Sequence, residues 1–228
     1  MQQKIQEFLN LEKLFHEHGY KLYLVGGTVR DYLFGLSLID MDAVTDATPN
    51  EMKAFLNKAD YTFSRYGSVK YISEKEVKFD ITTLREETGY KDARHPSEIK
   101  FVKELEKDVI RRDFTINGLY LDKDLKVIDL VDGLKDIQSK TLRMIGDADK
   151  RLKEDPLRII RAFRFIAQFD LSIDNELDTA IKNNLDQLNK INLEKIKMDI
   201  KKVDISFKDK IIKLFEEYGI KHLKDVIE

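Results

Sequence analysis

The sequence predicts an α+β chain: a head in which short strands and helices alternate to give a mixed β-sheet with flanking helices, followed by an all-α second part. Three observations carry this. Up to about residue 135, apolar residues occur in short buried-type runs such as "KLYLV" or at every second position, as in "VKFDITTLR", with helical periods between them. From Asp136 onward the strand signals fade and long helical periodicity takes over. The change falls near residues 137–150 without a Pro- or Ser-rich linker, an internal repeat or a low-complexity segment.

The elements follow in order. Lys4 to Glu17 places Ile5, Phe8, Leu9, Leu11, Leu14 and Phe15 on one side of a helix that Gly19 stops. "KLYLVGG" reads as a strand ending in a tight turn, and Val29 to Phe34 as a short helix closed by Gly35. Residues 39–44 form a second strand. Thr48-Pro49-Asn50-Glu51 is a capping box with proline at the first helical position, and predicts a helix of about ten residues. Stretches 61–65, 68–73 and 77–84 read as extended, Arg85 to Ser97 as a polar loop, and 108–121 as helical. A strand near 126–130 and a turn at Gly133 complete the first part. Helices are then expected at about 155–168, 174–184, 193–203 and 207–218.

The bulk numbers narrow the function classes. The chain has 228 residues, 36% charged and 42% hydrophobic, with a net charge of −2, so any polyanion site is a local patch and not a property of the whole surface. There is no cysteine, which excludes disulfides and thiolate metal sites and fits a reducing compartment. No run approaches the ~20 apolar residues of a membrane span, and "MQQKIQEFLN" lacks a signal-peptide core, so a cytoplasmic protein is expected. His16, His18, His95 and His222 lack metal-ligand spacing, and His95 is expected to be a loop hydrogen-bonder.

"IDMDAVTDATPNE" carries the first chemical signal. On a strand, Asp40 and Asp42 share a face with about 6.5 Å between their Cα atoms, and Ile39, Met41 and Ala43 face the core. Two carboxylates so placed repel unless a cation lies between them. A hard divalent ion takes carboxylate oxygens and shares its remaining positions with phosphate. Asp80, on the polar side of "VKFDITTLR", is a candidate third acid for a two-metal phosphoryl-transfer site. A solvated strand face bearing acids is the plain alternative. In "LVGGTVRD", Gly26 and Gly27 let backbone N–H groups approach a phosphate, and Arg30 on the following turn can add a charged contact. "RRDFTIN" combines two arginines, an acid and an amide: a carboxylate can accept from ribose hydroxyls and an arginine can clamp a phosphate, with an exposed basic helix start as the plain alternative. "EDPLRIIRAFRF" sets Asp155 as a helix cap before Pro156, with Arg158, Arg161 and Arg164 as a slanted stripe; a solvated stripe is again the alternative.

Together, "GGTVRDYLFG" and "IDMDAVTDATPNE" resemble the head of class II tRNA nucleotidyltransferases, the CCA-adding enzymes of the polymerase-β-like superfamily. The resemblance continues in order through "RYGSVKY", "FDITTLREETGYKDARHP", "RRDFTINGLY", "GDADKRLKEDPLRIIRAFRF" and "LDTAIKNN". It implies a nucleotidyltransferase head over residues 1–138 and a helical neck over 139–228 ending in a stub of the body domain. It further implies Gly26, Gly27 and Arg30 at the triphosphate, Asp40 and Asp42 on Mg²⁺ with Asp80 beside them, Arg112 at the nucleotide and Asp113 at the ribose. Many relatives carry glutamate in place of Asp80. Asp155 and Arg158 would select the base: an acid accepting from the exocyclic amine and an arginine donating to the ring nitrogen suit C and A and leave U and G unpaired. Arg161 and Arg164 would support that pair or the phosphates. The expected partners are the tRNA 3′ end, CTP and ATP, and no membrane.

The loop "ETGYKDARHP" resembles the one used to switch from C to A, which favours full CCA addition; addition of A alone or of CC alone is the first rival. Relatives continue past "FEEYGIKHLKDVIE", so a non-catalytic RNA-binding remnant is the second. Lysines 195, 197, 201, 202, 208 and 210 are candidates for a phosphate-tracking patch or a solvated face, and a homodimer is one source of further RNA-binding surface.

Overall fold

The computed structural model describes residues 1–90, 96–220 and 223. In chain order the elements are α1 (Gln2–Glu17), β1 (Leu22–Val25), α2 (Gly27–Leu33), β2 (Met41–Thr45), α3 (Pro49–Met52), β3 (Ser68–Ile72), β4 (Lys78–Thr83), β5 (Arg85–Tyr90), β6 (Pro96–Phe101), α4 (Leu105–Val109), β7 (Leu119–Leu121) and β8 (Val127–Asp129). They continue as α5 (Gly133–Ser139), β9 (Thr141–Leu142), α6 (Ala148–Glu154), α7 (Leu157–Phe169), β10 (Ser172–Ile173), α8 (Asn175–Asn184), α9 (Leu193–Ile200) and α10 (Lys208–Glu217). The fold is α+β, with a mixed sheet and flanking helices followed by a helical region. None of the described helices is long and apolar enough to cross a membrane.

Two compact units emerge. The first comprises Met1–Gly89, Pro96–Arg112 and Ile116–Leu134; the second holds Asp113–Thr115 and the chain from Lys135.

The first unit is built on a six-stranded sheet in the order β3-β4-β2-β1-β7-β8. β2 and β4 are parallel and the other pairs antiparallel. Ile5, Phe8, Leu11 and Phe15 of α1 are buried, as the helical period requires. Asp42 lies directly opposite Asp80 in the β2–β4 register.

Several expectations are corrected here. β2 starts at Met41, and Ile39, expected in the core, is 80% exposed. The carbonyls of Leu38 and Ile39 accept from Lys4 Nζ, so this segment is pinned by a lysine and not by a strand ladder. The Thr48 capping box forms, yet α3 ends after four residues, because the chain turns back to pair Asp60 with Lys70. The expected strand at 61–65 is a turn with a 3₁₀ segment at Ser64–Tyr66. Asp60 Oδ1 accepts from both the Thr62 N–H and its hydroxyl, at 2.8 and 2.6 Å, offering the backbone a local alternative to a ladder.

The polar stretch 85–97, expected as a loop, contributes β5 and the first two residues of β6, which pair as a separate two-stranded sheet. Its charges are matched by ion pairs, Arg85–Glu87 at 2.7 Å and Arg111–Glu87 at 3.5 Å, so it needs no apolar alternation. Residues 91–95 of that loop, including His95, and also His222, lie outside the described residues. The expected helix over 108–121 is instead the end of α4, a turn, a 3₁₀ segment at Thr115–Asn117 and β7. β7 is wholly buried, and a central strand reads as an unbroken apolar run that periodicity cannot separate from a helix. Gly133 begins α5 where a turn was expected, because Asp129 accepts N–H groups from Val131, Gly133 and Leu134 and so starts the helix.

The second unit contains the long helices at the expected places and one more. α6 is started by Asp147, whose Oδ1 accepts from Lys150 N at 2.9 Å. α7 is buried on most of its surface, with Phe163 packed edge-on to Phe215 of α10 at 6.0 Å between ring centroids. Residues 113–115 join this unit through backbone bonds of their own: Thr115 N to Arg143 O at 3.0 Å and Ile145 N to Asp113 O at 2.8 Å.

Candidate functional sites

In the first unit, β1 ends at Gly26, whose φ of +65° with ψ of −132° is open to glycine and strained for other residues. The chain then enters α2 at Gly27. A Cβ added at Gly26 would stand 3.7 Å from Arg112 Nη1 and 3.9 Å from Asp42 Oδ2; one at Gly27 would stand 3.4 Å from Arg30 Nη2 and 3.8 Å from Asp42 Oδ2. Four of the expected site residues, Gly26, Gly27, Arg30 and Arg112, therefore meet around the carboxylate of a fifth, Asp42.

Thr28 ties the turn to the acidic strand. Its hydroxyl accepts from Asp42 N at 2.8 Å and donates to Asp40 O at 3.2 Å. Asp40 itself precedes the strand and is exposed. Asp42 makes no ion pair among the described residues. Burial pushes its carboxyl up to about 6; Asp80 and Asp40 push the same way, against the pull of Arg112 and Arg30. A carboxylate that is costly to ionise alone is one that gains from a cation. Asp80 comes up to Asp42, directly opposite it in the β2–β4 register and among the charges that raise it, and it also meets Lys70 Nζ at 3.3 Å. Among the described residues no group of three His, Asp or Glu side chains stands ready to hold a metal ion. Asp40 lies near enough to act on the Asp42 charge, and two such carboxylates could serve a hard divalent ion that also takes phosphate oxygens.

The arginines are held by acids and an amide. Arg30 is buried and donates to Asp31 at 2.7 Å and to Asn117 Oδ1 at 2.7 Å. Arg112 donates to Asp108 Oδ2 at 2.7 Å, and Arg111 donates to Asp108 Oδ1 at 2.8 Å. Asp108 also accepts from the Tyr120 hydroxyl at 3.0 Å. Burial works against the Asp108 charge, but Arg112 and Arg111 overcome it and hold the carboxyl at about 2. Sequence reasoning missed Thr28, Asp108, Asn117 and Tyr120. The signal for Asp108 was present, since Asp108, Arg111 and Arg112 have the i, i+3 and i, i+4 spacing of helical ion pairs.

In the second unit, Asp155 stands between α6 and α7, with Pro156 in the cap position of α7. The capping act expected of Asp155 is performed one residue earlier: its Oδ1 accepts from Leu157 N at 3.2 Å, and its carbonyl accepts from Arg158 N at 3.0 Å. The arginine stripe is not solvated. Arg158 is buried, donating to Arg151 O at 2.6 Å and lying 3.5 Å from Glu154, which also pairs with Arg151 at 2.7 Å. Arg161 meets the buried Asp113 at 2.6 Å. Burial disfavours the Arg161 charge, yet Asp113, then Asp199 and Asp155, more than offset it and raise its pKa. Arg164 is buried against Asp199 at 3.1 Å and lies over the Phe165 ring. Asp155 and Arg158 share one turn at the helix start, and all three arginines meet acids: Arg158 meets Glu154, Arg161 meets Asp113 and Arg164 meets Asp199.

Comparison with known proteins places these features. A curated protein of Lactobacillus johnsonii named "CCA-adding enzyme" is 39% identical over 209 residues, 91% of this chain and 52% of its own length. A Streptococcus uberis protein of the same name is 40% identical over 88% of this chain and 49% of its own length. The chain therefore spans about half the length of the curated relatives it matches. Among solved structures, the Bacillus stearothermophilus CCA-adding enzyme in complex with CTP aligns with a TM-score of 0.85 and 32% identity, over 95% of this chain and 53% of that one. The Thermotoga maritima CCA-adding enzyme complexed with tRNA, at 23% identity and a TM-score of 0.74, shares the fold. Residues 22–143, which hold the glycine turn, both acidic strands and the Arg112–Asp113 step, match the family described as "Poly A polymerase head domain", and the chain belongs to that family.

Proposed function

We propose that this chain carries the nucleotidyl-transfer head and the nucleotide-selecting neck of an enzyme that adds C, C and A to tRNA 3′ ends from CTP and ATP without a nucleic-acid template. One observation carries the reading: Asp42, its charge raised in cost by burial and by two neighbouring acids, lies within about one side chain of a glycine turn flanked by Arg30 and Arg112. The likeness to CCA-adding enzymes over both units supports it.

In this reading Asp40 and Asp42 hold a divalent ion, Mg²⁺, which when bound lowers the pKa of the primer hydroxyl and offsets the charge of the departing pyrophosphate. The protein's own groups orient the reactants. The Gly26–Gly27 turn accepts the triphosphate against backbone N–H groups, which only residues without a bulky Cβ permit. Arg112, fixed by Asp108 and Tyr120, faces that turn. Arg30 is spent on Asp31 and Asn117, and so braces α2 behind the phosphates as much as it contacts them. The primer 3′-hydroxyl attacks the α-phosphate in line, and the bond to the β-phosphate oxygen breaks. In the neck, Asp155 accepts from the amine of C or A and Arg158 donates to the ring nitrogen, with Glu154 and Arg151 O holding its guanidinium; Asp113 and Arg161 pair beside them as the ribose contact and its support.

The test supplies tRNAs ending before, within and after CCA, with CTP, ATP or both, and resolves products at single-nucleotide length. A full ladder is expected. A single A or a stop at CC would restrict the reading to a partial enzyme, and tRNA retention without extension would replace it with a binding role.

A further inference from the structure

Lys70, Asp80 and Asp42 stand in a row across three adjacent strands. Lys70 in β3 is opposite Asp80 in β4, and Asp80 is opposite Asp42 in β2. Directly opposed residues share a face, with Cβ atoms about 4.5–5.5 Å apart. Lys70 Nζ reaches Asp80 Oδ1 at 3.3 Å, both side chains being roughly half exposed. The root of the lysine is fixed as well: its N–H and C=O bond the backbone of Asp60 at 3.0 and 2.7 Å. The row therefore places a permanent cation beside one acid of a cluster whose neighbouring acid, Asp42, has no ion-pair partner among the described residues.

We propose that Lys70 is a positioning residue that holds Asp80 as an internal ion pair, keeping it out of the coordination sphere of the catalytic divalent ion and thereby loosening the hold of Asp40 and Asp42 on that ion. The inference rests on the reading of Asp40 and Asp42 as the ion's ligands. Two effects act in the same direction. An incoming cation competes with the ammonium for Asp80, and the ion pair cancels the attraction that a free Asp80 carboxylate would add beside Asp42. A weaker hold suits a site that exchanges its ion together with each triphosphate and pyrophosphate.

The experiment measures Mn²⁺ binding to the full chain, without nucleotide or RNA, from the paramagnetic resonance signal of free Mn²⁺. Lys70→Met is expected to tighten binding about fivefold, the size of one unit charge acting through partly screened space. Lys70→Arg, which keeps the pair, should match the unsubstituted chain. In an Asp80→Asn background the gain from Lys70→Met should shrink to less than twofold, because the lysine acts through that acid. No tightening in Lys70→Met, or the same gain with Asp80 removed, overturns the proposal. If Asp42→Asn binds Mn²⁺ as tightly as the unsubstituted chain, the ion's ligands are elsewhere, and the assignment of the acidic pair falls along with this inference. Lys70 is half exposed on an edge strand, so its substitution leaves the fold intact, and a circular-dichroism melt checks this in each variant.

Discussion

Asp42 and Asp108 are both largely buried acids, and their surroundings push them in opposite directions. Asp42 sits among acids and its carboxyl rises to about 6. The native state therefore holds a proton more tightly than the unfolded chain does. The stability this contributes is complete below the unfolded value near pH 4 and is lost as pH rises through about 6. Asp42→Asn should accordingly stabilise the chain at pH 7.5 by up to about 3 kcal/mol in the absence of divalent ions, with the gain vanishing by pH 4, while extension of tRNA is abolished. Urea unfolding at the two pH values checks the first half and the product ladder the second. Asp108 is the reverse case. Its carboxyl is held at about 2 by Arg112 and Arg111, so its contribution is present above the unfolded value near pH 4 and disappears as pH falls toward 2. Asp108→Asn leaves two buried guanidinium groups short of a partner and should cost about 3 kcal/mol or more at pH 7, with the deficit narrowing on acidification.

At the scale of elements, the β1–α2 turn is the joint that carries the candidate site of the first unit. Gly26→Ala would place a Cβ on a backbone with φ of +65°, in ordinary contact with Arg112 and Asp42 where a bound phosphate would approach the turn. A loss of about 1–2 kcal/mol in stability is expected, together with a weakened affinity for nucleoside triphosphate measured by calorimetry; Gly35→Ala has a similar φ of +69° but nothing within 4 Å of its added Cβ, and should show only the stability loss. The turn was legible in the sequence because two glycines between an apolar run and a helix have few other uses. So were most helices of the second unit, since long amphipathic periods such as that of α8 are self-announcing. What stayed hidden shares a cause: the partner lies on another element, which the local period of one segment does not register. Residues 113–115 give up helix for backbone bonds to 143–145, Asp60 cuts α3 short to meet Lys70, and Asp80 turns to a lysine on the neighbouring strand. The buried Arg158 and Arg164 belong here too, for a three-residue arginine spacing looks the same whether water or acids face it.

For the whole molecule, charge balance limits how the proposed tRNA partner would be held. With a net charge of −2 the chain has little long-range attraction for a polyanion, so contact must come from a few local cations. The logarithm of tRNA affinity is expected to fall with the logarithm of salt concentration with a slope no steeper than about −4, the release of ions from a handful of phosphates. Filter binding between 50 and 300 mM KCl (about that range serves) measures it, and a slope near −8 would call for a broad basic surface that the composition does not provide. The lysines of α9 and α10 are the first to reverse in charge if the slope proves steep.

The strip from Asp113 to Thr115 was described as belonging, by its hydrogen bonds, with residues far downstream of it. Any attempt to dissect the gene at a single point after the sheet would thus strand three residues whose hydrogen-bonding complement had been removed, one of them the fully enclosed Phe114. Such fragments should be poorly soluble when produced alone, which the yield of soluble protein after each cut measures.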